Sequence, residues 1–177
     1  MEKIFYGRIQ IELATALLYY GKNNSVQTLI EKLKYKNDEE IGIFFGKWLG
    51  EQLKNNTHFE RIDMIIPVPL HPKKLKKRGY NQLTKFGEQI SKKLQKPFVE
   101  DILLRKMHLD TQTKKDRSHR ILNEEIFQVK SLNDLKGKHV LLIDDVITTG
   151  ATLESCCKAL FKAKNVKITI AAMAFTE

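Results

Sequence analysis

Two adjacent carboxylates, Asp144 and Asp145, stand directly before a small, hydroxyl-rich turn in the segment VLLIDDVITTGAT, residues 140–152. Backbone N–H groups and hydroxyls in such a turn, followed by a helix N-terminus, form a natural cradle for phosphate. A carboxylate pair suits the hydroxyls of a sugar, or a metal ion bound to them. The segment therefore predicts a sugar-phosphate site, with the sugar at the acids and the phosphate in the turn. The turn residues are Thr148, Thr149, Gly150, Ala151 and Thr152.

Three other interpretations of this segment are weaker. An apolar strand ending in Asp-Asp resembles a Walker B element, but the chain has no G-x-x-x-x-G-K-[ST] loop to accompany it. The threonines could simply cap a helix, which explains one hydroxyl but not the acid pair and the glycine. The turn could also be an anion site unrelated to sugars. The pattern favours a site for a phosphoribosyl group.

The elements that must position this site follow from hydrophobic patterning. Residues 140–143 predict a buried strand that ends at the acids, and residues 153–163 predict a helix. Further strands are predicted at 62–68, 98–104, 126–129 and 167–174, with a helix over 78–94. Strands that alternate with helices predict a right-handed, parallel α/β sheet. Ligands bind beyond the carboxyl ends of the strands in such sheets.

The N-terminal third is less regular. Apolar residues at helical spacing after Ser25 predict a helix capped by Ser25, and Asp38 is a candidate cap for the next helix. In that second helix we expect the apolar stripe to be core rather than a ligand platform. The stripe consists of Ile41, Phe44, Phe45, Trp48 and Leu49.

A second group of residues, PVPLHPKKLKKRGYNQ at 67–82, follows a predicted strand and carries five basic side chains. They are Lys73, Lys74, Lys76, Lys77 and Arg78. A charge run is often only a solvated turn. Opposite a phosphate cradle, however, a basic loop makes sense as a second anion site, for example for a diphosphate.

A third group, TQTKKDRSHRILN at 111–123, is polar and carries Lys114, Lys115, Arg117 and Arg120. A basic segment between strands predicts a mobile lid. His119 in this segment and His71 in the preceding group receive no catalytic role, because lone loop histidines are usually solvated or structural.

Composition sets the class of protein. The 177 residues, 42% hydrophobic and 29% charged, predict one globular domain. The formal charge of +10, from 31 Lys+Arg against 21 Asp+Glu, favours polyanionic partners such as nucleic acid or phosphorylated metabolites. No apolar stretch reaches the length of a membrane span, and the first residues lead us to expect no secretory leader. Adjacent Cys156 and Cys157 cannot easily bridge. We therefore expect a cytoplasmic protein with reduced, structural thiols.

In these segments the chain resembles the competence protein ComF family. That family lies within the type I phosphoribosyltransferase superfamily, in its amidophosphoribosyltransferase-like branch. The resemblance covers nearly the whole chain from Ser25 onward. It rests on SVQTLIEKLKYKND at 25–38, PVPLHPKKLKKRGYNQ at 67–82, the pattern of Gln112, Arg120, Asn123 and Phe127, and DDVITTGAT at 144–152.

The resemblance implies a phosphoribosyl diphosphate site and a role for each group. Asp144 and Asp145 would hold the ribose hydroxyls, directly or through Mg²⁺, and the turn at 148–152 would bind the 5′-phosphate. The diphosphate would face the loop that contains Pro69, Leu70, His71, Lys77 and Arg78. Residues 111–120 would form the flexible catalytic loop, with Lys115 and Arg120 as catalytic candidates beside the two acids.

The resemblance leaves the reaction open. Relatives usually carry a cysteine-rich zinc module, which this chain lacks. Competence proteins act in DNA uptake, so single-stranded DNA is an expected partner through the basic side chains at 73–78 and 114–117, as are other competence proteins. The alternatives are a DNA-binding competence factor without transferase activity and a purine-salvage enzyme. We expect residues 1–50 to form a hood region for the acceptor and 51–177 the core, in a protein that could oligomerise.

Overall fold

The computed structural model describes residues 2–22, 24–36, 38–106 and 125–176. The strands are β1 (Leu13–Tyr19), β2 (Met64–Pro67), β3 (Leu103–Arg105), β4 (Phe127–Val129), β5 (His139–Ile147) and β6 (Lys167–Phe175). The helices are α1 (Ser25–Tyr35), α2 (Glu39–Lys54), α3 (Pro72–Arg78), α4 (Thr84–Leu94) and α5 (Ala151–Leu160). Short 3₁₀ turns cover Glu2–Ile4, Thr57–Arg61 and Asn133–Leu135.

Four of the described strands form a parallel sheet in the order β1-β6-β5-β2. β5 lies inside the sheet, where Leu141 pairs with Ile65 of β2 on one side and Thr169 of β6 on the other. The apolar run that precedes the acids is fully buried, as expected for a strand covered on both faces. The predicted parallel α/β sheet flanked by helices is confirmed. β3 and β4 form a separate antiparallel ribbon.

The acid-bearing strand is longer than the sequence predicts. Its pairing with β6 continues past the acids, through Asp144↔Ala172 and Val146↔Ala174 to Ile147↔Phe175. Asp144 and Asp145 therefore lie within the strand instead of ending it. Since successive side chains of a strand point to opposite faces, the two carboxylates are directed apart.

The predicted helix over 78–94 is wrong in its first part. Residues 72–78 form α3, which ends at Gly79 in the left-handed conformation (φ +82°), and α4 begins only at Thr84. The basic run is thus a separate short helix. Pro72 at its start needs no hydrogen-bond acceptor there, and Gly79 adopts positive φ without strain, so both residues fit a short element.

The N-terminal helices differ from the prediction in two details. Asn24, not Ser25, caps α1, because its side-chain oxygen accepts the N–H of Gln27 at 2.8 Å. Asp38 precedes α2 but makes no side-chain capping bond. The apolar stripe of α2 is core only in part: Phe44 is 58% exposed and Trp48 is 41% exposed.

The reason for this exposure is the contact between α2 and α4. A stripe of α2 that includes Gly42, Phe45, Gly46 and Leu49 is buried. A Cβ on Gly46 would lie 2.5 Å from the carbonyl oxygen of Phe86, so the two helix backbones approach closely. Phe44 and Trp48 lie outside this stripe. They contact each other with ring centroids 5.9 Å apart.

Of the other predicted strands, the one at 167–174 is confirmed as β6, and the remaining three are shorter than predicted. The 62–68 prediction becomes β2, and the 98–104 prediction is divided between β3 and a parallel bridge from Phe98 to Ile65. Residues 1–50, expected to contain a hood, contribute β1 to the main sheet as well as α1 and most of α2. Both cysteines are buried free thiols in α5. None of the helices in the described ranges has the length and apolar character that a bilayer crossing requires.

Candidate functional site

A small cleft lies at the carboxyl end of β5, where the strand passes through a turn into α5. It is lined by Asp144 and by the predicted phosphate turn, Thr148, Thr149, Gly150, Ala151 and Thr152, together with Val146, Ile147 and Leu153. The structure therefore brings together one acid and the whole predicted phosphate turn. Asp145 is not among the residues that line this cleft.

The turn has the features of an anion cradle. Gly150 adopts the left-handed conformation at φ +72° and directly precedes the first residue of α5, which has no side-chain cap. The side chains of Thr148, Thr149 and Thr152 are exposed. The N–H of Ala151 makes only a long contact of 3.4 Å, to the Thr149 hydroxyl. The first N–H groups of a ten-residue helix have no acceptor within the helix, and together with the exposed threonines beside them they are suited to a phosphate.

Side chains of the N-terminal segment contact this turn and the start of α5. The Arg8 guanidinium donates to the Thr149 carbonyl at 2.7 Å and, through Nε, to the Glu154 carboxylate of α5 at 2.8 Å. A Cβ at Gly150 would lie 2.8 Å from the side chains of both Ile4 and Phe5. Glycine is therefore required at position 150 by its positive φ and by this contact.

Asp145 has a different environment. Its side chain is 9% exposed and forms an ion pair with Lys34 of α1 at 2.9 Å. Its second oxygen accepts from the side-chain amide of Gln82 at 2.6 Å. Both carboxylate oxygens are thus bound by groups of the protein itself.

The electrostatics of Asp144 follow from its position. Its Oδ1 accepts the backbone N–H of Asp145 at 2.8 Å. Burial, and next the charge of Asp145, raise the pKa of the Asp144 carboxyl well above its usual range, while the Lys34 charge opposes this rise. A ligand that brings positive charge to the cleft would therefore favour the ionised form of Asp144.

The predicted diphosphate loop begins where β2 ends, at the same edge of the sheet as the acids. Pro69, Leu70 and His71 are half-buried there, and the His71 ring accepts the N–H of Lys73 at the start of α3. Arg78 turns inward: it donates to the Gln82 side chain, and its guanidinium lies 5.5 Å from the centre of the Tyr35 ring. Lys73, Lys74, Lys76 and Lys77 are exposed, and α3 has no buried residue.

The predicted lid lies outside the described residues, as do Lys114, Lys115, Arg117 and Arg120 within it. Conversely, the structure identifies three residues at the site that the sequence analysis did not assign. Lys34 and Gln82 lie in the quoted segments at 25–38 and 67–82, but no feature of those segments assigns them to Asp145. Arg8 lies in a segment with no motif, and only the folded chain brings it to Thr149.

The fold and site together define a class. A model of the phosphoribosyl transferase domain family matches residues 84–176. The chain belongs to this family.

Particular relatives refine the assignment. The chain is 35% identical over 140 residues to Competence protein F of Haemophilus influenzae, covering 76% of this chain and 61% of that protein. It is 27% identical over 146 residues to Competence protein ComFC of Bacillus subtilis, covering 81% and 56% respectively. The resemblance to ComF proteins is confirmed. The chain spans less than two thirds of the length of these curated relatives.

A solved structure supports the type I phosphoribosyltransferase fold. The glutamine phosphoribosylpyrophosphate amidotransferase of B. subtilis, complexed with ADP and GMP, superposes with a TM-score of 0.52 at 16% identity. The match covers 79% of this chain and 30% of that one. At this identity the likeness concerns the fold.

Proposed function

We propose that this chain is a phosphoribosyl diphosphate-binding, phosphoribosyltransferase-like domain that serves DNA uptake. The observation that carries the proposal is the cleft at the end of β5, which joins one carboxylate to a complete Thr/Gly turn at a helix N-terminus. In this proposal the turn at 148–152 binds the 5′-phosphate, and Asp144 receives the ribose hydroxyls. The association with DNA uptake comes from the relatives that are named competence proteins.

The reaction such a site would support is displacement at C1 of the ribose. A bond forms from an acceptor nitrogen to C1, while the bond from C1 to the diphosphate oxygen breaks and diphosphate leaves with the electron pair. The acceptor then loses its proton. Positive charge around the leaving group and exclusion of water favour this step. The loop at 69–78 is proposed to face the diphosphate, and Lys115 and Arg120 are proposed to act from the predicted catalytic loop at 111–120.

Magnesium is the cofactor we propose, and the residues present fit it under one condition. Carboxylate oxygen is a suitable Mg²⁺ ligand, and Mg²⁺ commonly binds through one or two carboxylates plus substrate phosphates. In the described part of the chain there is no group of three or more His, Cys, Asp or Glu side chains that could hold a metal ion. The condition is therefore that the diphosphate supplies most of the ligands. Bound in this way, Mg²⁺ would neutralise charge on the leaving group.

Two further proposals concern context. The last turn of α1, which reaches Asp145 through Lys34, is proposed as part of the hood that covers the acceptor. The buried free thiols of Cys156 and Cys157 fit a reducing compartment, so we propose a cytoplasmic location.

Calorimetry tests the main proposal. Phosphoribosyl diphosphate and Mg²⁺ are titrated into the wild type, Asp144→Asn and the control Asp101→Asn, whose carboxylate lies on the surface in an ion pair with Lys130. We expect binding to the wild type and the control, and at least about tenfold weaker binding to Asp144→Asn, because a charge-assisted contact is lost. Absence of binding to the wild type, or equal binding by Asp144→Asn, would contradict the proposal. Turnover against a panel of bases then separates a salvage enzyme from a binding protein.

A second candidate function is binding of single-stranded DNA, with or without transfer. The observation that favours it is α3, which carries exposed lysines on a helix with no buried residue. Such a helix presents a dense, accessible positive charge to phosphates. Arg78 is less suited to this role, because it is engaged with Gln82 and Tyr35.

Anisotropy of a labelled oligothymidine over a range of salt concentrations tests this second function. Replacing Lys74, Lys76 and Lys77 by Gln should weaken binding and reduce the salt slope by up to about 2, given roughly 0.7 counterion per neutralised phosphate. The control replaces three exposed lysines elsewhere, Lys32, Lys54 and Lys92, by Gln, so net charge is matched. Equal losses of DNA affinity in both triple variants would show that binding depends on net charge and not on the lysines of α3. That result would exclude α3 as a DNA site.

A further inference from the structure

Asp145 is held on both sides by the protein itself. The Lys34 ammonium lies 2.9 Å from Oδ1, and the Gln82 amide lies 2.6 Å from Oδ2. The side chains of Asp145 and Lys34 are only 9% and 23% exposed, so this ion pair is largely shielded from solvent. A shielded pair is much less screened than one on the surface.

Lys34 is placed by a set of contacts that anchor the last turn of α1. The Tyr80 hydroxyl donates to the Leu33 carbonyl, and the Arg78 guanidinium packs over the Tyr35 ring. Residues 33, 34 and 35 are therefore each contacted by the segment RGYNQ at 78–82 or by Asp145. The position of Lys34 is fixed by the fold and is not that of a freely moving surface lysine.

The two acids of the motif are consequently not equivalent. β5 continues through both of them, so their side chains diverge. Asp144 lines the cleft with the phosphate turn, whereas Asp145 does not line it and is directed to Lys34 and Gln82.

From these contacts we propose that the Lys34 ammonium, through its ion pair, prevents Asp145 from binding a metal ion. Asp144 is then the one carboxylate of the two that can contact a metal-bound sugar diphosphate. Lys34 is thus a positioning residue that limits the site to one divalent ion, the ion that arrives with the diphosphate. The proposal rests on the proposed function for the identity of the ligand. The assignment of the two carboxylates rests only on the contacts described above.

The physical basis is the electrostatic repulsion between the Lys34 ammonium and a metal ion placed near Asp145. An ammonium within 3 Å of Asp145 neutralises that carboxylate and repels a second cation placed beside it. Removing the ammonium leaves the Asp145 carboxylate without its compensating charge, and an uncompensated carboxylate attracts a divalent ion. Loss of Lys34 should therefore increase the affinity of the ligand-free protein for a metal ion, an effect that a purely structural role would not produce.

The first test uses Mn²⁺ alone, with free ion measured by electron paramagnetic resonance. We expect Lys34→Met to bind Mn²⁺ about tenfold more tightly than the wild type, since a unit charge within a few ångströms is removed. Lys34→Arg, which keeps the charge, should resemble the wild type. The control is Lys32→Met, an exposed lysine on the same helix. Unchanged or weaker Mn²⁺ binding by Lys34→Met would overturn the proposal, and so would an equal gain in Lys32→Met.

The second test removes each carboxylate. Adding Asp145→Asn to Lys34→Met should abolish the gain in Mn²⁺ affinity. In calorimetry with phosphoribosyl diphosphate and Mg²⁺, Asp144→Asn should weaken binding at least about tenfold and Asp145→Asn less than about threefold, because Asp145 makes no direct contact in this scheme. Equal losses from the two Asn variants would overturn the assignment. If the diphosphate does not bind but the Mn²⁺ results are as expected, the proposed function fails and the role of Lys34 stands.

Discussion

Asp144 and Asp145 are the same chemical group one position apart, yet their surroundings give them different properties. Strand geometry directs one towards the cleft and the other towards Lys34. The sequence motif identifies the acids as a pair, and the folded chain separates their roles. At the scale of single residues, the neighbours of a side chain decide what it can bind.

A second pair of titratable residues, His58 of a 3₁₀ turn and His139 of β5, contacts one hydroxyl group of β6. The Nε2 atoms of His139 and His58 each lie 2.9 Å from the Thr169 hydroxyl, and His139 is 6% exposed. Burial, and next the charge of His58, lower the pKa of His139, although Glu12 and Asp63 oppose this and Lys167 adds to it. The folded protein therefore keeps this imidazole neutral at a pH where the unfolded chain already binds a proton.

The stability of the protein depends on pH because the folded and unfolded states bind different numbers of protons at His139. Below the unfolded-state pKa of about 6.5, the unfolded chain binds more protons than the folded protein, so stability falls with falling pH. We expect His139 to contribute a loss of roughly 1 kcal/mol in the free energy of unfolding between pH 7.5 and 5.5. Urea unfolding at these pH values measures it. His139→Gln should show a correspondingly smaller loss, and identical pH profiles would contradict the assignment.

At the scale of elements, the close contact of α2 with α4 places both helices beside the sheet. Gly46 permits this contact, since a Cβ there would lie 2.5 Å from the Phe86 carbonyl oxygen and 2.8 Å from Gln89 Cβ. A Cβ on Gly42, in the same helix, would have its nearest neighbours at 3.6 Å, which is an ordinary contact distance. The two glycines form a matched pair in which helix propensity is similar and packing differs.

This pair gives a direct test of the helix contact. Gly46→Ala should lower the free energy of unfolding by about 1–3 kcal/mol because the added methyl group overpacks the interface. Gly42→Ala should raise it by up to about 1 kcal/mol because alanine favours the helix. Chemical unfolding of both variants measures the difference. Equal stability of the two variants would show that the helices are farther apart than described.

At the scale of the whole molecule, the N-terminal segment connects the start of the chain to the candidate phosphate turn. Arg8 contacts both Thr149 and Glu154, across more than 140 positions of sequence. Glu154 also pairs with Lys158 on the exposed side of α5, at 2.6 Å. The two cations share one carboxylate, but only Arg8 reaches the turn.

We expect Arg8→Met to weaken the binding of ribose 5-phosphate by about fivefold or more, because the Thr149 carbonyl loses its donor and the turn loses its fixed conformation. Lys158→Met, which removes the other partner of Glu154, should bind within about twofold of the wild type, since exposed pairs contribute little. Calorimetry with ribose 5-phosphate gives both values. If the two variants bind equally, Arg8 does not position the turn.

Much of the architecture was accessible from the sequence, because strand and helix patterning depend on local periodicity. The buried strand, the turn at 148–152 that leads into a helix and the parallel sheet were predicted and observed. Phe44 and Trp48 were predicted to lie in the core, which is wrong. An apolar stripe in the sequence does not reveal which part of it a neighbouring helix covers. The break between α3 and α4 was also missed, because a basic run can continue a helix as readily as end one.

By itself, the sequence determined the chemistry available after the buried strand: two carboxylates, a small turn that contains a glycine, and hydroxyls before a helix. Only the tertiary structure decided which carboxylate is open and which is paired. That decision depends on Lys34, Gln82 and Arg8, which lie 63 to 141 positions away from their partners. Contacts over such separations form when elements pack, so no local pattern of residues encodes them.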